Sequence, residues 1–331
     1  MSLREQACLI TLVFESKLST RTVNNILVIW CKQLGRTLEE FFAADMQEWR
    51  TTCTLKDEFI QKIAQAKEKL VAQAFLVEQL QHAGISMMTV LDENYPKPLK
   101  LALDRTHIPP ILFYAGQVDI LKQRTIAVIG SRNANKTSLD FTKTTAHYLA
   151  NNNVNVISGY ARGVDRAAYE GAIATNGFTT IVLPQGIRKL SKAQLRDIQP
   201  KIDNGKVLLL SQFHPDAPWM VSRAMERNNV VTGLAQVVIV AESDTKGGTW
   251  EGATGALKQK RRVFVRATND EQALPGNKQL LEQGGMPLRW PTTSVNDTFA
   301  PLLKTTRIVH HHQHTTSQPP NQLSLMAIQQ E

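Results

Sequence analysis

The stretch 154–172, VNVISGYARGVDRAAYEGA, has residue types and spacing that suit the binding of an anion. Its apolar beginning predicts a buried strand, which ends at Ser158 and Gly159. Arg162 and Gly163 follow, and an alanine-rich helix begins after them. Small residues at the end of a strand let a ligand approach the backbone, and the first turn of a helix offers free N–H groups to an anion. Because a fixed arginine adds a charged donor, this turn favours a phosphodiester or nucleotide ligand.

Three other predicted strand ends carry donors of the same kind. The first strand ends in GSRN, the helix after the fourth strand carries two arginines, and the fifth strand leads through Gly-Gly-Thr into a helix. The two arginines are four residues apart on one helix face, so their charges repel each other unless an anion lies between them. The phosphate-binding residues that we expect from all four strand ends are Ser131, Arg132, Ser158, Gly159, Arg162, Gly163, Arg223, Arg227, Asn228, Gly247, Gly248 and Thr249.

No set of acid, base and nucleophile accompanies these residues. The G-x-G-x-x-G cradle for a pyrophosphate is absent, and Glu242 and Asp244 have no second acidic cluster with which to hold Mg²⁺. Asp165 lies between Arg162 and Arg166, which favour its charged form, so we expect it to brace its helix. The sequence therefore predicts a binding pocket for a phosphate-bearing ligand, with no catalytic residue, no metal and no cofactor.

The turns that carry these residues follow short apolar runs, which we interpret as the strands of a sheet. Such runs recur along the chain, and helical segments lie between most of them. The runs lie at 126–129, 154–157, 180–183, 207–210, 237–240 and 263–265. Such alternation predicts an α/β fold with a doubly wound, mostly parallel sheet and helices on both faces. Ligands of such sheets bind beyond the carboxyl ends of the strands, which is where the candidate residues stand.

The pattern divides the chain into four segments. Residues 1–90 are expected to form a small helical domain, in which the clearest helix is 55–84. The proline-rich residues 91–111 predict an extended connector, and residues 112–290 hold the sheet. Residues 291–331 are rich in Gln, Thr and Pro and are expected to form a flexible tail. The histidines of this tail have no acidic or cysteine partner nearby, so we expect no metal there.

The composition restricts the partners and the environment of the protein. The 331 residues carry a formal net charge of +9, which suits a polyanionic partner. The cysteines Cys8, Cys31 and Cys53 form no C-x-x-C pair, so neither a disulfide framework nor a zinc site is indicated. No apolar run approaches the length of a membrane-spanning helix, and the first residues lack the pattern of a cleaved signal. We therefore expect a cytoplasmic protein with no membrane partner.

Four ordered stretches give the chain a resemblance to a known family. They read IAVIGSR at 126–132, ISGYARGVDRAAYEGA at 157–172, ERNNVVTGLA at 226–235 and KGGTWEGA at 246–253. In this order they resemble motifs of the DprA (Smf) family of DNA-processing proteins. The resemblance implies a Rossmann-like DNA-binding domain, preceded by a helical domain similar to a sterile alpha motif.

The same resemblance implies what the protein binds. It is expected to bind single-stranded DNA, to form a homodimer through the Rossmann-like domain, and to load a RecA-type recombinase during the uptake of transforming DNA. Asn228 would brace the pocket or contact sugar and base, and the binding of DNA would be largely independent of its sequence. The residues that would receive the DNA phosphates are Arg132, Arg162 and Arg227, with the backbones of Gly159, Gly163 and Gly248.

Several positions depart from the family pattern, and two other functions are open. The family usually has a histidine at Tyr169, a glutamate at Gln212 and a second arginine at Asn229. The first alternative is a nucleotide-sensing protein or a nucleotide phosphoribohydrolase, in which Arg227 and Glu251 would form the catalytic pair. The second alternative is a structural adaptor whose basic pocket holds no ligand.

Overall fold

Helices occupy most of the first ninety residues, as the apolar spacing predicts. The computed structural model describes residues 1–268 and 274–306, and a first unit comprises residues 1–95 and 103–113. Two π-helical segments, Thr11–Glu15 and Leu27–Gln33, continue its first two helices. The helices are α1 (Leu3–Ile10), α2 (Thr20–Ile26), α3 (Leu38–Ala43), α4 (Met46–Cys53), α5 (Asp57–Lys67) and α6 (Leu70–His82). The helical N-terminal part is thus confirmed, whereas its likeness to a sterile alpha motif stays a prediction.

Aromatic side chains form much of the core of the first unit. The ring of Phe41 lies 5.2 Å from that of Trp30 and 5.5 Å from that of Trp49, measured between centroids. Each indole also finds a backbone acceptor, because Trp30 donates to the Thr37 carbonyl at 2.8 Å and Trp49 to the Phe41 carbonyl at 2.7 Å. The two tryptophans can therefore be buried without leaving a polar N–H unpaired.

The single helix expected at 55–84 is divided into α5 and α6. The break falls at Glu68 and Lys69, within three successive charged residues that supply no apolar side chain to a core. Gly84 follows the end of α6 with a φ of 66°, which is the left-handed conformation of a helix stop. The short strand β1 (Ser86–Thr89) comes next.

The proline-rich connector contains regular structure of its own. Helix α7 (Lys97–Ala102) carries Pro98 in its first turn, where a helix does not need the missing N–H, and strand β2 (Ile111–Ala115) begins at the end of the segment. Within the first unit, the hydroxyl of Tyr95 donates to the Pro109 carbonyl at 2.7 Å. Short elements and side-chain hydrogen bonds therefore replace the extended chain that the prolines suggested.

The second unit, which comprises residues 96–102 and the described residues from 114 onward, is built on a parallel sheet. Its strands are β3 (Arg124–Gly130), β4 (Val154–Ser158), β5 (Thr179–Val182), β6 (Val207–Ser211), β7 (Val237–Glu242), β8 (Arg262–Ala267) and β9 (Met286–Arg289). They lie in the order β6-β5-β4-β3-β7-β8-β9, and each neighbouring pair is parallel. Every apolar run of the sequence corresponds to one of these strands, so the α/β fold is confirmed. Of these seven strands, β9 does not correspond to a predicted run, because Leu288 is its one buried residue.

The strand order reverses beside β3. Ile126 of β3 lies opposite Val156 of β4 on one side and opposite Val237 of β7 on the other. The chain first builds the sheet outward from β3 to β6, and then returns to continue from β7 to β9. The carboxyl ends of β3 and β7 therefore border a crevice, which is where sheets of this type bind ligands.

The helices of the second unit pack in groups along the sheet. The remaining helices are α8 (Lys136–Asn151), α9 (Val164–Ile173), α10 (Lys192–Asp203), α11 (Val221–Leu234), α12 (Gly248–Lys258), α13 (Gly276–Glu282) and α14 (Val295–Lys304). α8 packs against α9 and α14, whereas α11 packs against α12 and α7. A Cβ at Gly171 of α9 would lie 2.5 Å from the Lys143 carbonyl of α8, so the glycine allows this close approach. Among the described residues, no helix has the length and apolarity needed to cross a bilayer.

Helix α14 lies in the range for which the sequence analysis expects a flexible tail. Phe299 and Leu302 are fully buried on it, and the ring of Phe299 lies 5.9 Å from that of Phe141 and 5.5 Å from that of Tyr148. The apolar face of α14 extends over only three turns, so the polar composition of 291–331 hides it in the sequence. It is nevertheless long enough to pack against α8. The rest of the expected tail, 307–331 with its histidines, lies outside the described residues.

Candidate functional site

A cavity of about 680 Å³, here called the main cavity, opens at the carboxyl ends of β3 and β7. The turns expected to bind phosphate meet there, because the carboxyl ends of parallel strands share one edge of the sheet. Arg162 instead lines a second cavity of about 440 Å³, which shares Arg132 and Gly159 with the main cavity. The candidate residues that line the main cavity are Ser131, Arg132, Gly159, Arg227, Asn228, Gly247, Gly248 and Thr249.

The other three candidates line neither cavity. Ser158 is buried, and its hydroxyl donates to a carbonyl of β3 at 3.0 Å. Gly163 has a φ of 85°, and a Cβ there would overlap the carbonyl of Ser131. Arg223 donates from Nη1 to the Pro218 carbonyl at 2.6 Å, away from Arg227. Ser158 and Gly163 therefore shape the turns, and Arg223 does not line the cavity that Arg227 lines.

Arg227 lines the main cavity as a buried group. Only 3% of its surface is exposed, and Nη1 donates to the Val182 carbonyl at 2.7 Å. Nη2 lies 3.8 Å from Oδ2 of Asp165. Gly159 leaves room for this guanidinium, because a Cβ there would lie 2.5 Å from Nη2 and closer still to Nη1 and Cζ. The charge of Arg227 is thus compensated inside the fold before any ligand binds.

The expected partners of Asp165 were wrong. Arg162 donates to the side-chain oxygen of Asn133, and Arg166 pairs with two other carboxylates. Burial raises the pKa of Asp165 above its usual range, and the charge of Arg227 opposes this rise. Sequence neighbours mislead here because adjacent residues of a helix point in different directions, whereas the true partner comes from another helix.

The N-terminus of α12 supplies backbone donors to the main cavity. Gly247 has a φ of 87° and no side chain with which to cap the helix, so no side chain accepts the N–H groups of the first turn. Asn228 donates from Nδ2 to the Gly248 carbonyl at 3.1 Å, and a Cβ on Gly248 would lie 2.6 Å from that nitrogen. In α9, by contrast, the N–H of Val164 is used by the Ser131 carbonyl at 3.2 Å. Of these two helix ends, that of α12 is the better anion site.

The carboxylates near the main cavity are engaged within the fold. Glu242 is 2% exposed and accepts hydrogen bonds from Ser138 Oγ at 2.5 Å and from the Asn135 N–H at 3.3 Å. The fully buried Arg266 lies 4.0 Å from the same carboxylate. Asp244 accepts the N–H of the next residue at 2.7 Å. Within residues 1–268 and 274–306, no three side chains of the metal-binding types form a group that could hold a cation.

Two residues at the cavities escaped the sequence analysis. Lys246 is exposed and lines the main cavity, and its place directly before the Gly-Gly pair was the signal. Trp219 lines the second cavity and is 47% exposed. Its ring centroid lies 5.6 Å from Cζ of Arg132. The signal for Trp219 was its position between Pro218 and Met220, in a loop where no periodic pattern offers a large aromatic a core.

Only one of the two residues that the hydrolase alternative would pair lines a cavity. Glu251 is exposed on the first turn of α12 and lines neither cavity. Arg227 is held by a backbone carbonyl and by Asp165. Neither of the two cavities is therefore lined by both side chains.

Comparison with known proteins shows that this chain is similar to DNA-processing proteins. The model of a family described as DNA recombination-mediator protein A matches residues 86–299. The chain is 32% identical over 177 residues to the DNA processing protein DprA of Streptococcus pneumoniae, covering 54% of this chain and 61% of that protein. It is 30% identical over 184 residues to Protein Smf of Escherichia coli, covering 56% and 46% respectively. The chain thus spans about half to three-fifths of the length of these two relatives.

Solved structures are similar in fold. The X-ray structure of DprA from Streptococcus pneumoniae superposes with a TM-score of 0.68 at 22% identity, covering 91% of this chain and 98% of that one. A second structure concerns the unique single-stranded DNA binding mode of DNA processing protein A from Helicobacter pylori. It superposes with a TM-score of 0.58 at 28% identity, covering 68% of this chain and 99% of that one.

Proposed function

The chain belongs to the DNA recombination-mediator protein A family, and we propose that it binds single-stranded DNA as a mediator of recombination. In this proposal the backbone phosphates of the strand lie along the main and second cavities. Arg132, Arg162 and Lys246 contact the phosphates, and the first turn of α12 supplies N–H donors. The structure from Helicobacter pylori concerns single-stranded DNA, which supports this choice of ligand.

The placement of charge is the observation that carries the proposal. Arg132, Arg162 and Lys246 are exposed. The carboxylates that line the main cavity are buried or half-buried and are bonded within the fold, namely Asp165, Glu242 and Asp244. A polyanion that enters from solvent therefore meets cations first. Phosphate contacts of this kind position a strand but do not read its sequence, so we expect similar affinity for different sequences.

The test is fluorescence anisotropy with labelled single-stranded and duplex DNA, titrated at several salt concentrations. Arg132→Ala removes an exposed cation that lines both cavities, so single-stranded binding should weaken for every sequence. The slope of log K against log salt should become shallower by about 0.7 for the lost phosphate contact.

Arg223→Ala is the matched control. It removes an arginine that lines neither cavity, so the affinity and the salt slope of this variant should stay close to those of the wild type. Binding that ignores strandedness and is equally insensitive to both substitutions would leave only the net charge of +9 as its cause. That result would refute the site and favour the adaptor alternative.

The partners of the family belong to the same proposal. We propose that the protein acts as a homodimer that loads a RecA-type recombinase onto the bound strand, without catalysis of its own. Light scattering on the eluting protein should give twice the mass of 37.0 kDa. The onset of recombinase ATPase activity on strands coated with single-strand binding protein should be faster when the wild type is present, and Arg132→Ala should remove most of that gain.

A further inference from the structure

We propose that the second cavity is a nucleobase subsite in which Trp219 stacks on an unpaired base of the bound strand. The inference rests on the proposed function and names the group that would recognise single strands. Phosphate contacts alone do not favour a single strand, because a duplex carries its phosphates at a higher linear charge density. A side chain that needs an unstacked base face adds the missing discrimination, since the bases of a duplex are already stacked on one another.

Trp219 is placed as a ligand contact rather than as a core residue. It is 47% exposed, whereas Trp30 and Trp49, the tryptophans of the first unit's core, are buried. Leu190 and Pro184 line the same cavity and give it apolar walls. The volume of about 440 Å³ falls in the range of small-ligand pockets, which is enough for a base.

The charges around the second cavity suit the phosphate that is joined to such a base. Arg132 and Arg162 line it, and among the described residues that line it there is no carboxylate. Arg132 also lines the main cavity. A strand whose phosphate is held by Arg132 would therefore carry its attached base past the indole. The guanidinium, 5.6 Å from the ring centroid, also restrains the indole by a cation–π contact.

The test combines Trp219→Ala with oligonucleotides that lack bases. On a normal single strand the substitution should weaken binding roughly 5- to 150-fold, which is the range for loss of one stacked base. On a strand of the same length built from abasic units, wild type and variant should bind alike. The slope of log K against log salt should not change, because no phosphate contact is lost. Trp219→Phe should keep part of the affinity.

Met220→Ala is the matched control, because Met220 is the next residue, is also 47% exposed and lines neither cavity. An equal loss on normal and abasic strands, with a shallower salt slope, would overturn the inference and show that Trp219 only positions Arg132. No loss on either strand would also overturn it. In both cases a loss for Arg132→Ala would leave the proposed function intact, whereas a wild type that binds no single strand would refute both.

Discussion

Replacing Gly159 with alanine tests how Arg227 is built into the site. The new Cβ would overlap the guanidinium, at 2.5 Å from Nη2 and closer still to the other atoms. Ordinary contacts between heavy atoms are about 3.5–4.0 Å, so the guanidinium has to move. The end of an arginine on the surface could move freely, but this one is 3% exposed and bonded to the Val182 carbonyl.

The magnitude follows from the two interactions that the movement disturbs. A hydrogen bond from a charged donor contributes about 1.5–3 kcal/mol to stability, and it is lost when Nη1 leaves Val182. Breaking a buried ion pair by removal of one partner costs about 3–5 kcal/mol. Because Arg227 is displaced from Asp165 rather than removed, only part of that second loss applies. We expect Gly159→Ala to lower the free energy of unfolding by about 2–4 kcal/mol.

The assay is urea unfolding of four proteins that form a thermodynamic cycle. Gly159→Ala is made in the wild type and in a background of Arg227→Met with Asp165→Asn, which removes the guanidinium and its partner charge together. In that background the loss should fall below about 1 kcal/mol, because the new methyl group no longer meets a fixed cation.

An equal loss in both backgrounds would show that the added methyl group does not act through Arg227. Gly255→Ala is the matched control within a helix. A Cβ there meets no atom within 4 Å, so alanine should raise the stability by about 0.5–1 kcal/mol. If Gly255→Ala also lowered the free energy of unfolding, an added methyl group would destabilise the second unit even where it meets no atom. The loss for Gly159→Ala could then not be assigned to Arg227.

Three further predictions concern other parts of the chain. Burial, together with the charge of Glu5, raises the pKa of Cys8 and Cys31 to about 12. At pH 8 both thiols should therefore react with a thiol reagent about a thousand-fold more slowly in the folded than in the unfolded protein. A rapid first phase of labelling in the folded protein would contradict this prediction. Burial alone raises the pKa of Asp197, but hydrogen bonds from Lys201 and Tyr160 outweigh it and lower the pKa below 3.8. Asp197→Asn should therefore lower the free energy of unfolding by about 1 kcal/mol at neutral pH. In urea titrations the difference between wild type and variant should disappear only as the pH falls below 3.8. A difference that persists below this pH would show that the substitution acts through packing. Glu251→Gln should change the affinity for single-stranded DNA less than about threefold, since one exposed charge is screened by salt. Release of free base from a nucleoside monophosphate, abolished by this substitution, would instead establish the hydrolase alternative.

Much of the fold and the location of the site follow from local pattern. The run 237–240 is apolar on both faces, as in a strand that helices cover on both sides. Once several such strands are recognised as parallel, their carboxyl ends lie at one edge, which brings Arg132, Gly159 and Gly248 to one crevice. Short apolar elements give weaker signals, and this is why β9 and α14 were missed.

The roles of individual arginines could not be obtained in this way. Arg132, Arg162, Arg223 and Arg227 all stand near strand or helix ends and look equivalent in the sequence. A guanidinium can be buried only where a residue of another segment leaves space for it. For Arg227 that space exists because residue 159, distant in sequence, is a glycine. The contact between Gly159 and Arg227 can be recognised only once the structure places the two residues next to each other.

The distinction between buried and exposed arginines determines how each acts on a bound strand. Arg227 lies 3.8 Å from Asp165, so the pair is close to neutral when seen from solvent and should release few counterions when DNA binds. The salt dependence should therefore report the exposed cations Arg132, Arg162 and Lys246. In the proposed function Arg227 would act on affinity through shape, because its guanidinium fills the space next to Gly159, a residue that lines both cavities. In the proposed function the exposed cations would attract the strand, and Arg227 would hold in place the turn that the strand meets.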